Sequence, residues 1–276
     1  MANWRSGDLT VNGLRLHYTW TGGDKPAVVL AHGFTDDGLC WTPVAQALAS
    51  EYDLIMVDAR GHGRSDRPEG AYGSAEHASD LAGLITWLGL QRPAVLGHSM
   101  GAATALVLAG TYPDLPGAIL LEDPPPLWAD DFPSGPDAER HAQMRAWITD
   151  LKRKTREQLI AEQRIASPGW SEAELGPWAD SKLRFSLNVL NSRGEAAVDW
   201  QAILPRVTCP ALLITADPAR GALITTEGAA ALQALIPQLR VAHIPGAGHS
   251  IHREGFALYL EAVRAFLAEV TPGGEG

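Results

Sequence analysis

The sequence predicts an α/β chain: a mostly parallel central sheet with helices on both faces, plus a helical insertion over one end of that sheet. Short apolar runs rich in β-branched residues recur along the chain and alternate with longer stretches of helical spacing, the rhythm of βαβ units. The runs are LRLHYT, AVVLAHG, DLIMVD, AVLGHS, AILLED, ALLITAD and RVAHIPG, with helical stretches around Trp41–Ala49, Ala75–Leu88, Gly101–Ala109 and Gly228–Ile236. The first run, preceded by DLTVNG, alternates polar and apolar residues, so the sheet is expected to open with antiparallel edge strands. Phe256–Glu269 reads as a closing amphipathic helix.

One interval breaks the rhythm. Residues 125–204 hold helical spacing in HAQMRAWITDLKRKTREQLIAEQ and no strand pattern. No internal repeat, low-complexity tract or Gly/Ser linker sets this stretch apart, so it reads as a subdomain inserted into one core formed by residues 1–124 and 205–276.

At 276 residues and 46% hydrophobic, the chain is long enough to bury a large core. A formal charge of -10 opposes binding to phosphate backbones or anionic lipid, and the short basic run Lys152-Arg153-Lys154 reads as one solvated helix face. The N-terminal stretch MANWRSGDLTVNG has no apolar leader segment and no run approaches a membrane span, so a soluble, cytoplasmic protein is expected. Cys40 and Cys209 match no metal or redox spacing and are expected to be reduced, partly buried thiols.

The motif that carries chemistry is AVLGHSMGAATALVLA. Its G-x-S-x-G core follows a strand and precedes a small-residue helix, the context in which a serine on a strained turn exposes its hydroxyl. Ser99 is therefore the candidate nucleophile, with Gly97 and Gly101 allowing close strand-helix packing. The Met100 N–H, at the start of the helix, points where an oxyanion would form. VVLAHGF supplies a second donor, the Phe34 N–H, with His32 and Gly33 shaping the turn. His32 and His98 read as packing groups.

A serine hydroxyl needs a base within hydrogen-bond reach. His249, in IPGAGHSIHRE after the last strand, is the candidate, with His252 as runner-up. The two as a metal pair lack a surrounding Cys, Asp or Glu cluster, so no metal is expected. The stretch DARGHGRSD, Asp58 to Asp66, also follows a strand end; Arg60 or Arg64 there is read as a structural brace in preference to a contact for a substrate carboxylate.

Taken together, HGF, DARGHGRSD, GHSMG and PGAGHS occur in that order over nearly the whole chain, which resembles the α/β-hydrolase fold family with a helical cap after the sixth strand. The resemblance implies a Ser-acid-His triad in which Ser99 and His249 take the first and last roles. Family members commonly carry the acid after the seventh strand. Here that stretch is LLITADPARG, with Ala219 at the usual acid position and Asp217 two places early. The other position known in the fold, used by members resembling haloalkane dehalogenases and zearalenone lactonases, is the end of the sixth strand. Matching GAILLE to it puts Glu122 there, so Glu122 is the first choice, Asp217 the second and Asp123 the third.

Trp128, Phe132, Trp147, Trp170, Trp178, Phe185 and Trp200 lie in or beside the insertion. Some must form its own core, yet a cap facing a polar triad needs an apolar underside. Trp41, Leu127 and Trp128, with Met100, are the expected pocket lining. The reading is a hydrolase that cleaves a carboxylic ester or lactone of a small, fairly apolar molecule through an acyl-enzyme, as a monomer or homodimer, with no cofactor and no nucleic-acid or membrane partner. Rival readings are a carbon-carbon bond hydrolase, a cofactor-free perhydrolase or oxygenase, and, from another class, a ligand-binding receptor or inactive scaffold.

Overall fold

Eight strands form a single sheet: β1 (Arg5–Val11), β2 (Leu14–Trp20), β3 (Ala27–Ala31), β4 (Asp53–Val57), β5 (Ala94–His98), β6 (Ala118–Glu122), β7 (Ala211–Thr215) and β8 (Leu239–His243). The computed structural model describes residues 4–129, 138–191 and 197–271. The spatial order is β1-β2-β4-β3-β5-β6-β7-β8. β1 pairs antiparallel with β2 and β2 with β4; the remaining pairs are parallel. The alternating first runs thus open the sheet as antiparallel edge strands, while β3 to β7, buried at nearly every position, are the continuous apolar runs.

Helices cover both faces: α1 (Thr42–Leu48), α2 (Ser74–Trp87), α3 (Met100–Thr111), α4 (Ala138–Leu151), α5 (Arg156–Ala166), α6 (Glu172–Arg184), α7 (Trp200–Ile203), α8 (Thr226–Leu235), α9 (Ile251–Glu254) and α10 (Phe256–Val270). Because side chains alternate along a strand, each strand divides its residues between two cores. Val29, Ile55, Val95, Ile119 and Leu213 pack with α2, α3 and α8. Leu30, Leu54, Leu96, Leu120 and Ile214 pack with α1 and α10. In α10 the spacing of Tyr259, Leu260, Val263, Phe266 and Leu267 places one stripe against the sheet. Each such side chain contributes about 1.5–3 kcal/mol of burial as an upper figure. No described helix is long and apolar enough to cross a membrane.

Between β6 and β7 the described residues hold helices and no strand, as the interrupted rhythm predicts. Helix α5 starts at a reciprocal cap in which Thr155 accepts from the Gln158 N–H and the Gln158 side chain accepts from the Thr155 N–H. Ile148 of α4, Phe185 just past α6 and Val189 in the turn Leu187–Leu190 pack with Tyr72 and Phe34, which stand in loops after β4 and β3. These contacts fall at the carboxyl ends of the parallel strands. There the chain, having stepped outward from β3 to β4, returns to lay β5 on the other side of β3. Such a reversal leaves a crevice between two strand ends, the ligand position in open parallel sheets.

Candidate active site

The two loops bordering that crevice follow β3 and β5. Ser99 joins β5 to α3 with φ 52 and ψ -113, a conformation that L residues adopt only under constraint. The constraint is visible on both sides of it. The Ser99 N–H donates to the Glu122 carbonyl at 2.8 Å, and its own carbonyl accepts from Ala102 and Ala103 as α3 begins. A Cβ on Gly97 would lie 2.2 Å from the Gly101 oxygen, and one on Gly101 would lie 2.1 Å from the Ala31 oxygen. Only glycines let helix and strands approach this closely, which is the physical content of the G-x-S-x-G spacing. Met100, the first residue of α3, has an N–H with no partner inside the helix.

After β3 the chain turns through Gly33-Phe34-Thr35-Asp36, closed by the Asp36 N–H on the Gly33 carbonyl at 3.1 Å. Thr35 has φ 68, the left-handed value that the third position of such a turn requires. Phe34 is half-buried and meets Phe185 edge-on at 5.2 Å. The loops after β3 and β5 touch: a Cβ on Gly33 would come within 2.6 Å of the His98 Nδ1.

The candidate base and the carboxylate beside it come from the loops after β8 and β6. His249 is half-buried, and its Nδ1 lies 2.7 Å from Asp123 Oδ2. The Asp123 carboxylate is fully buried and also accepts the backbone N–H groups of Leu223 and Ile224 at 2.8–3.0 Å. A carboxylate so held accepts the Nδ1–H, and Nε2 is then the acceptor nitrogen of the neutral ring.

Glu122 does not contact His249, contrary to the first expectation for the acid. Its side chain accepts from the His252 Nδ1–H at 2.8 Å and from the His252 backbone N–H at 2.9 Å. The reason is strand alternation. Glu122 ends β6 on the face shared with Leu120 and α10, beside Tyr259. Asp123, one residue later, leaves the strand with φ 40 and turns to the other side. Asp217, the second choice, is also engaged elsewhere, accepting from the Gly246 N–H at 2.7 Å with His243 Nε2 3.0 Å away. Sequence did contain a signal for Asp123. Of two acids at a strand end, Asp is the type found more often at positive φ.

Two expected lining residues belong to the core instead. Trp41 is fully buried among Val28, Leu30 and Val44 and stacks on His252 at 4.7 Å, and Trp128 is buried against the α3 and α8 side of the sheet. Both are large apolar surfaces under the crevice, and burial in the core removes more of that surface from water than a pocket would. Leu127 is half-buried, as is Met100. Of the aromatics noted around the insertion, Phe185 reaches Phe34, Trp170 and Trp178 meet edge-on at 6.3 Å, Trp147 is exposed, and Phe132 lies outside the described residues.

Behind the site lie groups that hold it. The His98 Nε2–H donates to the His249 carbonyl at 3.0 Å, and its ring faces those of His249 and His252 at 4.8 and 5.2 Å. Burial pushes His98 and His252 each down to about 3, so both imidazoles are neutral at physiological pH. Burial raises Glu122. Arg60 makes two short bonds to Asp80, at 2.6 and 2.7 Å, and a third to the Ala71 carbonyl, the brace expected of DARGHGRSD, and Arg64 is exposed.

Comparison with known proteins agrees with this architecture. The chain matches the model of the alpha/beta hydrolase fold family over residues 26–256. It is 30% identical over 272 residues to an N-formylmaleamate deformylase from Pseudomonas putida, covering 95% of this chain and 96% of that protein. It is 28% identical over 255 residues to a 2-(acetamidomethylene)succinate hydrolase from Mesorhizobium japonicum, covering 89% of each. The crystal structure of an esterase from a Rhodococcus species superposes with a TM-score of 0.77 at 23% identity, over 98% of this chain and 100% of that one. Sequence motifs, sheet order and a full-length relative at 30% identity agree, and the chain belongs to the α/β-hydrolase fold family.

Proposed function

We propose that this hydrolase cleaves the carboxylic ester or lactone of a small, fairly apolar substrate through an acyl-enzyme on Ser99. The observation that carries the reading is the His249–Asp123 pair at 2.7 Å behind a serine held in a strained turn. Ser99 Oγ attacks the carbonyl carbon and its proton passes to His249 Nε2, while Asp123 stabilises the imidazolium. The Phe34 and Met100 N–H groups hold the oxyanion. Collapse of the intermediate expels the alkoxide, which takes the proton from His249. Water, activated by His249, then releases the acid and restores Ser99. The described helices of the insertion act as a cap, and the cluster of Phe34, Tyr72, Ile148, Phe185 and Val189 supports an apolar acyl group.

A second reading, cleavage of a small amide, is favoured by the full-length similarity to a deformylase. The same residues serve it, with His249 protonating a departing nitrogen. Intact mass after incubation with a fluorophosphonate, beside turnover of p-nitrophenyl butyrate and N-formylmaleamate, tests both. One adduct and ester turnover, both lost in Ser99→Ala, are expected. Faster turnover of the formyl amide selects the second reading, and a wild-type chain without an adduct overturns both.

A further inference from the structure

The mechanism leaves unused a group of buried charges. Lys182 and Glu174 on α6, Asp36 in the turn after β3 and Arg253 on α9 are each at least nine-tenths buried. The Lys182 ammonium donates to Asp36 Oδ1, to the Thr35 carbonyl at 3.1 Å and to the Ser181 hydroxyl at 3.3 Å. Arg253 donates from Nη2 to Asp36 Oδ2 at 2.9 Å and from Nε to Glu174 at 3.3 Å. Two cations meet two carboxylates, so the group is neutral as a whole. Its cations also lie over aromatic rings, Lys182 on Trp178 at 5.1 Å and Arg253 on Trp170 at 4.7 Å.

The placement of these partners matters more than their number. Asp36 and Thr35 are the last two residues of the turn whose second residue is Phe34, and Arg253 follows His249 by four positions. A single cluster therefore ties an insertion helix to both the oxyanion loop and the histidine segment. Thr35 is left-handed, a conformation that a non-glycine residue keeps only where its surroundings impose it. Lys182 bonds to the Thr35 carbonyl itself. Burial would raise Asp36, but Arg253 and Lys182 outweigh it and hold its carboxyl well below the usual range, so the anion that anchors the turn persists at neutral pH.

We infer that Lys182 is a positioning residue for the oxyanion hole: seated on α6, it holds the Gly33–Asp36 turn so that the Phe34 N–H faces the developing oxyanion. The inference rests on the acyl-enzyme reading and extends it, because it makes the insertion part of transition-state stabilisation as well as a cover for the pocket.

The test separates positioning from charge balance. Lys182→Met keeps the side-chain stem but leaves one cation between two carboxylates, and Lys182→Met/Glu174→Gln restores neutrality without returning the bond to Thr35. Both variants and the wild type are compared for thermal midpoint, for kcat and KM on p-nitrophenyl butyrate, and for affinity toward an alkyl trifluoromethyl ketone, whose hemiketal with Ser99 presents an oxyanion. Loss of an oxyanion donor costs about a hundredfold or more in kcat, so a displaced one is expected to cost about ten- to hundredfold in kcat and in ketone affinity, with KM within about twofold. The double variant regains the wild-type midpoint but not the ketone affinity. Recovery of ketone affinity in the double variant, wild-type affinity in the single one, or a change confined to KM overturns the inference. A wild-type chain that binds neither the ketone nor a fluorophosphonate overturns the acyl-enzyme reading instead.

Discussion

Thr35, Ser99 and Asp123 all carry positive φ without being glycine, and they stand at the three loop ends that meet in the crevice. Ser99 and Asp123 donate backbone hydrogen bonds to the neighbouring strands β6 and β7, and Thr35 sits inside the turn closed by the Asp36 N–H on the Gly33 carbonyl, so local strain is exchanged for fixed geometry. At this scale the adjacent acids should differ sharply on substitution. Asp123→Asn leaves His249 without an anion to fix its tautomer, and kcat is expected to fall roughly 10³–10⁴-fold. Glu122→Gln disturbs the His252 contact instead, lowering the thermal midpoint while kcat falls by less than about tenfold. Steady-state kinetics and thermal unfolding of the two variants check the ranking, and the reverse order would return the acid's role to Glu122.

Among the elements, α3 lies close on β3 and β5 through Gly97 and Gly101. Gly101→Ala would push a methyl carbon into the Ala31 carbonyl, which is backbone and cannot rotate away. Overpacking of this kind costs about 1–3 kcal/mol or more, and here it also moves Met100 and the oxyanion donor. Gly228→Ala, in the first turn of α8, meets nothing closer than 3.6 Å and is expected to be neutral or stabilising. Urea unfolding midpoints of the two alanine variants, with ester turnover measured alongside, distinguish them. A Gly101→Ala chain with wild-type midpoint and turnover would show that the helix shifts without consequence. On the opposite face, Phe266→Ala in α10 opens a cavity and should cost about 3–5 kcal/mol with little change in kcat.

For the whole molecule the buried histidines set the response to acid. Burial pushes His77, His98 and His252 to about 3 in the folded chain, below the ordinary 6.5. The unfolded chain therefore binds more protons between those two values. Stability rises with pH across that window and levels off above it. Glu122, Glu174 and Asp37 are raised by burial and give the opposite slope just above the usual carboxylate range. From pH 6.5 down to pH 5 the histidines prevail, since each opposes folding by about 2 kcal/mol at pH 5. Thermal midpoints are expected to fall between pH 7 and pH 5, well before bulk carboxylate protonation; a flat profile there would mean that these imidazoles are charged or exposed.

What the sequence determined by itself was whatever local spacing dictates. Buried parallel strands must be apolar at consecutive positions, so β3 to β7 were legible as runs, and α10 was legible from its stripe. The serine turn was legible because its glycines are required by contacts within one strand-turn-helix unit. The partner of each histidine is of another kind. Glu122 and Asp123 are neighbours in the chain, yet strand alternation and one positive φ send them to opposite sides, toward His252 and His249. Which histidine waits on which side depends on loops after β7 and β8, and no local pattern encodes their convergence. The same holds for Trp41, whose indole fits a core site formed by His252 and α10, and for Lys182, whose partners Thr35 and Asp36 lie far from it in sequence. Contacts between segments distant in sequence depend on the assembled sheet, and only the tertiary structure decided them.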